Sequence, residues 1–153
     1  MKPGSFSQIY IHLVFAPKFR ESLLQPHVCK VLYPYMGQTL NNNGHKPIII
    51  NGMSDHLHIL LGLNPKQSVS DLISDLKRSS SLYFNEGRLL PGNFQWQEGY
   101  GAFSYSRSQL DNVYKYIENQ KEHHGKITFR DEYLGFLKKY EVEYDERYLF
   151  EFF

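Results

Sequence analysis

Residues 55–63, Asp-His-Leu-His-Ile-Leu-Leu-Gly-Leu, constrain the fold more than any other stretch of the chain. A short apolar run bounded by turn residues reads as a β-strand. Successive side chains on a strand point to opposite faces. His56, His58 and Leu60 therefore share one face, and Leu57, Ile59, Leu61 and Leu63 take the other. A second apolar run, 47–53, precedes it across Ser54-Asp55, and together they predict a hairpin. That hairpin carries two imidazoles on one face, roughly 7 Å apart along the backbone.

The remaining elements follow from their periods. Residues 8–16 alternate, with Ile9, Ile11, Leu13 and Phe15 against Gln8, Tyr10 and His12, which predicts a half-buried strand. Residues 26–40 place Val28, Val31, Leu32, Tyr35 and Met36 at helical spacing, and Pro34 inside them should kink or shorten the helix. Asn41-Asn42-Asn43-Gly44 is a turn. Ser68-x-x-Asp71, Ser108-x-x-Asp111 and Thr128-x-x-Asp131 have the form of capping boxes and predict three helix starts. The first helix turns Val69, Leu72, Ile73, Leu76 and Tyr83 inward. The second carries Tyr116 and closes at Gly125. The third buries Phe129, Tyr133, Phe136 and Leu137. Residues 94–97 and 103–106 read as short strands around Gly99-Tyr100-Gly101. The order predicts an α+β fold: a ferredoxin-like, split β-α-β sheet with helices on one face and an added C-terminal helix bearing Tyr116. Residues 1–153 read as one domain, large enough to bury a core.

Composition narrows the function classes. The net charge is only +1, so contact with nucleic acid must come from local basic patches and not a global field. Lys77-Arg78, Arg107 and Lys115, with Lys18, Arg20 and Lys66, are the candidates. Any one of them is more simply a solvated side chain; as a group, near 12 Tyr and 11 Phe, they could track a single strand's phosphates while its bases stack on rings. The single Cys29 excludes an intrachain disulfide. No signal peptide is read at the start, and no stretch reaches the ~18 apolar residues of a membrane helix. The expectation is a soluble, cytoplasmic protein. No glycine-rich phosphate loop is present, so no nucleotide cofactor is expected.

His56-x-His58 alone is a weak motif. Seven His in 153 residues produce roughly a third of such a pair by chance, and two inert, hydrogen-bonded histidines explain it equally well. Asp55 beside the pair could orient an imidazole. The helix bearing Tyr116 says more. Gln109, Asn112, Tyr116, Gln120 and His123 fall in one stripe, a quarter-turn from Leu110, Val113, Tyr114 and Ile117. The polar stripe lacks the Lys and Glu of a solvated face; its amides, phenol and imidazole suit ligation. Two imidazoles and an amide oxygen can hold a divalent metal, and a tyrosine nearby can attack what that metal polarises. His45, Lys121 and His124 read as surface residues, and Trp96 and the tail 148–153 as core or subunit interface.

Taken together, the residues resemble the single-tyrosine, IS200-like transposases of small bacterial insertion sequences, within the HUH (His-hydrophobe-His) nucleases. The resemblance covers nearly the whole chain. It rests on His56-Leu57-His58, on Gly99-Tyr100-Gly101-Ala102-Phe103-Ser104, on Tyr116-Ile117-Glu118-Asn119-Gln120 with His123-His124, and on two closing stretches, 132–137 and 144–148. It implies a DNA transposase in which His56, His58 and Gln120 hold Mg²⁺ or Mn²⁺ and Tyr116 is the nucleophile. It also implies cleavage of single-stranded DNA at ends folded into hairpins, a 5′-phosphotyrosine link, and a homodimer with composite active sites, in which the tyrosine helix can complete the partner's site. Two other readings stay open: a transposase-derived nucleic-acid-binding module, and a hydrolase with Zn²⁺ on His56, His58 and His123.

Overall fold

The two-residue turn at Ser54-Asp55 sets the register of the sheet. Strand β2 (Lys46–Met53) returns as β3 (His56–Gly62), with Met53 opposite His56, Asn51 opposite His58 and Ile49 opposite Leu60. Strand β1 (Tyr10–Phe15) lies on the other side of β3, with Val14 opposite His58 and His12 opposite Leu60. Strand β4 (Gly101–Tyr105) closes the far edge, with Phe103 opposite His12. The order is β2-β3-β1-β4 and all neighbours are antiparallel, which is the expected split β-α-β, ferredoxin-like arrangement. This computed structural model describes residues 4–18, 24–90 and 92–152; Arg20 and Phe153 lie outside the described residues.

Residues paired across strands share a face. Leu13, Phe15, Leu57, Ile59 and Leu61 form one face, buried beneath α1 (Pro26–Asn42) and α2 (Val69–Gly87) through Leu32, Met36, Leu72, Ile73 and Leu76. Helix α2 starts where expected: the Ser68 hydroxyl accepts the Asp71 N–H at 3.1 Å. Helix α1 is neither shortened nor ended by Pro34. The proline lies on the exposed side, where the carbonyl it leaves without a donor faces water.

The opposite face departs from expectation. Strand β1 is not half-buried: His12 and Val14 are as fully buried as Leu13 and Phe15. The cover comes from the C-terminal helices α3 (Leu110–Glu118), α4 (Gln120–His123) and α5 (Phe129–Lys139). Helix α3 is reached through a 3₁₀ turn, Arg107–Gln109, whose capping box is Ser106 with Gln109, not Ser108 with Asp111. Nor does one helix run from Tyr116 to Gly125: the chain leaves helical geometry at Asn119 and α4 restarts. The Asn51 amide on β2 donates to the carbonyls of Ile117 and Glu118 at 2.9 and 3.2 Å, so the sheet itself caps α3. Thr128 caps α5 by accepting the Asp131 N–H, as expected.

Residues 94–97 do not form a strand. Trp96 makes one isolated bridge to Pro17, and proline has no N–H with which to extend a ladder. Trp96 instead packs on Phe15 and donates its indole N–H to the Ser80 hydroxyl at 2.8 Å. From the tail, Phe150 is buried against Tyr133, while Tyr148 is exposed.

The hairpin that carries the histidines tolerates no side chain at Gly52. A Cβ there would lie 2.2 Å from the His56 carbonyl oxygen and 3.0 Å from the Leu57 Cα, both backbone atoms that cannot swing aside. Gly52→Ala should destabilise the fold by about 1–3 kcal/mol, the usual range for overpacking. A urea midpoint equal to that of the unaltered chain would show that the hairpin relaxes around the methyl.

Candidate metal and nucleophile centre

Strand β3 delivers His56 and His58 to the face that the C-terminal helices cover, and both side chains are fully buried. Each ring is held from behind. His56 Nδ1 lies 2.7 Å from the Asp55 carboxylate, and His58 Nδ1 lies 2.7 Å from His12 Nε2, with the His12 and His58 rings stacked. A partner on Nδ1 fixes the ring plane and leaves Nε2 to face the site.

Both Nε2 atoms converge on a residue that sequence reasoning missed. Glu132, on α5, is buried, and its Oε1 lies 3.0 Å from His58 Nε2 and 3.3 Å from His56 Nε2. Oε2 accepts the Tyr116 hydroxyl and, at 3.0 Å, the Gln120 amide; the Gln120 carbonyl oxygen lies 2.8 Å from His56 Nε2. Tyr116, Gln120, His56 and His58 therefore meet within one chain. Helix α5 is seated by rings: Phe129 stacks flat on His56 at 4.1 Å, and Phe136 meets His12, His58 and Tyr116 edge-on. Such contacts contribute about 0.5–1.5 kcal/mol each beyond area burial.

The sequence did carry a sign of Glu132. Phe129, Glu132, Tyr133 and Phe136 stand at i, i+3, i+4 and i+7, so one carboxylate interrupts an apolar stripe. Other expectations need correction. The stripe of five on the Tyr116 helix does not face one place: Gln109 caps the helix start and Asn112 is exposed, and the break at Asn119 re-aims Gln120 and His123. His123 stacks on the Tyr116 ring at 4.4 Å instead of joining His56 and His58, so the third zinc ligand of the hydrolase reading is not in place. His124 is no surface residue: its side chain is 7% exposed and its Nε2 lies 3.2 Å from Glu132 Oε1. His45 is buried too, between the Asn64 N–H and Gln67.

The basic residues do not form one patch. Lys77 is half-buried over the Phe15 ring on the opposite face of the sheet, its ammonium donating to the carbonyls of Gln97 and Gly99 at 2.8 and 2.6 Å. Arg78 pairs with Asp75 at 3.0 Å. Arg107 and Lys115 are exposed beside and on α3.

Charge in the centre is strongly organised. Burial opposes a charged His56, but its hydrogen bonds to the Asp55 and Glu132 carboxylates outweigh it and lift the ring to about 9. Burial, together with the neighbouring His56, lowers His58 to about 4. Burial alone would raise Glu132, yet His124, His56 and His58 hold it well below the carboxylate range. Burial and the Glu132 carboxylate push the Tyr116 phenol above its ordinary value. Ligand atoms of His56, His58 and Glu132 lie within 4.8 Å of one another, and this nitrogen-and-oxygen set, with the Gln120 oxygen adjacent, suits a divalent cation.

Comparison with known proteins places this sheet and the chain that carries it in a family. The family described as "Transposase IS200 like" matches residues 5–120 of the chain. The chain belongs to the IS200-like transposase family. The ISDra2 transposase TnpA of Deinococcus radiodurans is 28% identical over 124 residues, covering 78% of this chain and 89% of that protein. The crystal structure of a candidate transposase from Deinococcus radiodurans R1 is similar with a TM-score of 0.60 and 25% identity, over 78% of this chain and 96% of that one. A REP-associated tyrosine transposase bound to a REP hairpin shares the fold, with a TM-score of 0.59 at 14% identity over 83% and 76% of the two chains. In this IS200-like transposase the family match ends at Gln120, so α5 and Glu132 lie beyond it. No helix among the described residues is long and apolar enough to cross a membrane.

The two histidines set opposite pH limbs. His56 holds its proton more tightly in the fold than its ordinary 6.5, so the stability it contributes is complete below about 6.5 and is lost as pH rises through about 9. His58 holds its proton less tightly, so its contribution is lost as pH falls from about 6.5 through about 4. Without added metal, thermal stability should decline above pH 6.5, and His56→Asn should flatten that alkaline limb. An unchanged limb in the variant would assign it elsewhere.

Proposed function

We propose that this IS200-like transposase cuts and rejoins single-stranded DNA at the hairpin-bearing ends of an insertion sequence, with Tyr116 as nucleophile and His56, His58 and Gln120 as ligands of Mg²⁺ or Mn²⁺. The observation that carries this reading is the convergence of the Tyr116 hydroxyl, both Nε2 atoms and the Gln120 amide around one buried carboxylate. A hairpin is what the structurally similar REP-associated transposase binds, and that class of substrate is carried over here. A divalent cation supplies charge for the scissile phosphate and for the alkoxide that leaves it.

The chain's own groups do the rest. The Tyr116 oxygen attacks phosphorus, the P–O3′ bond breaks, and the 3′ oxygen leaves with its electron pair and takes up a proton. The products are a 5′-phosphotyrosine and a 3′-OH. A 3′-OH attacking the phosphotyrosine reverses the exchange, and Tyr116 departs and regains a proton. One ester of phosphate replaces another, so no nucleotide cofactor is needed. Exposed Arg78, Arg107 and Lys115 are the proposed contacts to DNA phosphates; Lys77, held by two carbonyls, adds charge nearby without a free ammonium.

Incubation with single-stranded DNA of the element's end and Mn²⁺ should give an adduct stable in SDS. Tyr116→Phe should abolish it while DNA binding persists, because only a hydroxyl is lost. Adduct mapped to Tyr114 or Tyr105 would sink the assignment. A His56→Ala/His58→Ala variant should lose metal-dependent cleavage, and Gln120→Ala should lose less, an amide being the poorer ligand.

We further propose a homodimer. Each chain carries its own tyrosine against its own histidines; exchange of α3 and α4 between partners would rebuild the same site in trans. A heterodimer of Tyr116→Phe and His56→Ala chains separates the two. Sites built in cis keep one lesion each and stay inactive, whereas composite sites restore part of the cleavage. A monomer by light scattering would reject both forms.

A further inference from the structure

Glu132 is the residue of the centre that neither the histidine motif nor the tyrosine motif requires. It stands on α5, beyond residues 5–120 that the family model matches, in one of the closing stretches on which the resemblance rests. A buried carboxylate costs several kcal/mol unless it is compensated, and a buried ion pair seldom adds net stability over apolar packing. Its neighbours on the α5 stripe, Phe129, Tyr133 and Phe136, are all aromatic, so an apolar side chain at 132 would extend an existing cluster. Packing alone does not explain a carboxylate at this position.

The two carboxylate oxygens face different partners. Oε1 meets only ring nitrogens: Nε2 of His58 at 3.0 Å, of His124 at 3.2 Å and of His56 at 3.3 Å. Oε2 meets the Tyr116 hydroxyl and the Gln120 amide. His56 Nε2 also has the Gln120 carbonyl oxygen, at 2.8 Å, and His58 Nε2 takes Oε1 at 3.0 Å. His124 Nε2 is buried with no hydrogen-bond partner despite its short distance to Oε1. Three ring nitrogens gathered on one carboxylate oxygen, one of them without a hydrogen bond, are suited to giving lone pairs to a cation, and the oxygen among them is suited to the same cation.

We propose that Glu132 is a working residue of this centre: Oε1 is a carboxylate ligand of the divalent cation, and Oε2 holds the Tyr116 hydroxyl in place beside it. The inference rests on the metal reading of His56, His58 and Gln120 given above. It makes α5 part of the active centre and ties the cation to the nucleophile through a single carboxylate. A carboxylate also makes the ligand set harder and more anionic than two imidazoles and an amide, which favours Mn²⁺ and Mg²⁺.

The test is Mn²⁺ binding to the full chain by isothermal titration and by the electron paramagnetic resonance signal of free Mn²⁺, before any DNA is added. Glu132→Gln keeps the shape and the hydrogen-bonding reach but removes the charge. It should weaken Mn²⁺ binding about ten-fold or more, the scale at which even outer partners of metal ligands act. At saturating Mn²⁺, adduct formation on Tyr116 should still lag behind the unaltered chain, because the hydroxyl has lost its charged acceptor. Glu132→Asp, which retains the charge and withdraws it by one methylene, should recover part of the affinity and serves if the glutamine variant misfolds. Unchanged Mn²⁺ affinity in a folded Glu132→Gln chain would overturn the ligand role. Full recovery of the rate at saturating Mn²⁺ would overturn the hold on Tyr116. Tighter Mn²⁺ binding and faster adduct formation would show that the carboxylate occupies the cation's place, and would overturn the proposal outright. An unaltered chain that binds no Mn²⁺ would refute the metal reading of the whole centre, which is a different outcome from binding that is indifferent to residue 132.

Discussion

A carboxylate away from water must be surrounded by partners, and Glu132 is surrounded by three imidazoles, an amide and a phenol. That compensation organises the C-terminal third of the molecule. It aligns β3, which brings His56 and His58, with α3 and α4, which bring Tyr116 and Gln120, and with α5, which brings the carboxylate itself. Three segments far apart in sequence are thereby held to one point.

The compensation works because the sheet is covered on both sides. Against α1 and α2 the sheet presents the side chains of Leu13, Phe15, Leu57, Ile59 and Leu61. Against α3 to α5 it presents His12, His56, His58 and Asn51 among Leu60 and Phe103. A polar face beneath a helical cover is shielded from water, so its polar groups turn to protein partners, and only His12 Nδ1 and His124 Nε2 among the described buried side-chain atoms lack one. His12 serves His58, Asp55 serves His56, and Asn51 caps α3. Burial also explains why neighbouring imidazoles diverge: one is lifted toward a charged state by two carboxylates, and the other is pressed toward neutrality by desolvation and by the first.

Within the IS200-like transposases, this chain combines a family-matched segment, residues 5–120, with a C-terminal part that reaches back into the centre. Phe129 stacked on His56 and Phe150 packed on Tyr133 make that return a matter of aromatic packing as well as charge. The aromatic excess in the composition is partly accounted for here. Many rings belong to the seam between α5, the tail and the sheet, where they exclude water from the histidines.

Local periodicity determined much of this before any tertiary contact is considered. The alternation in 55–63 placed His56 and His58 on one face, the Ser68 and Thr128 hydroxyls marked two helix starts, and the order of elements implied the split β-α-β sheet. Those features are short-range, set by backbone geometry and by hydrogen bonds to near neighbours. What only the tertiary structure decided is what fills the space above the histidines. Whether α3 continues past Asn119, whether His123 or His124 turns inward, and whether Glu132 faces water or imidazole depend on contacts across 12 to 76 positions of sequence. Periodicity is blind at that range. A carboxylate within an apolar stripe becomes a site only when the fold brings its partners to it.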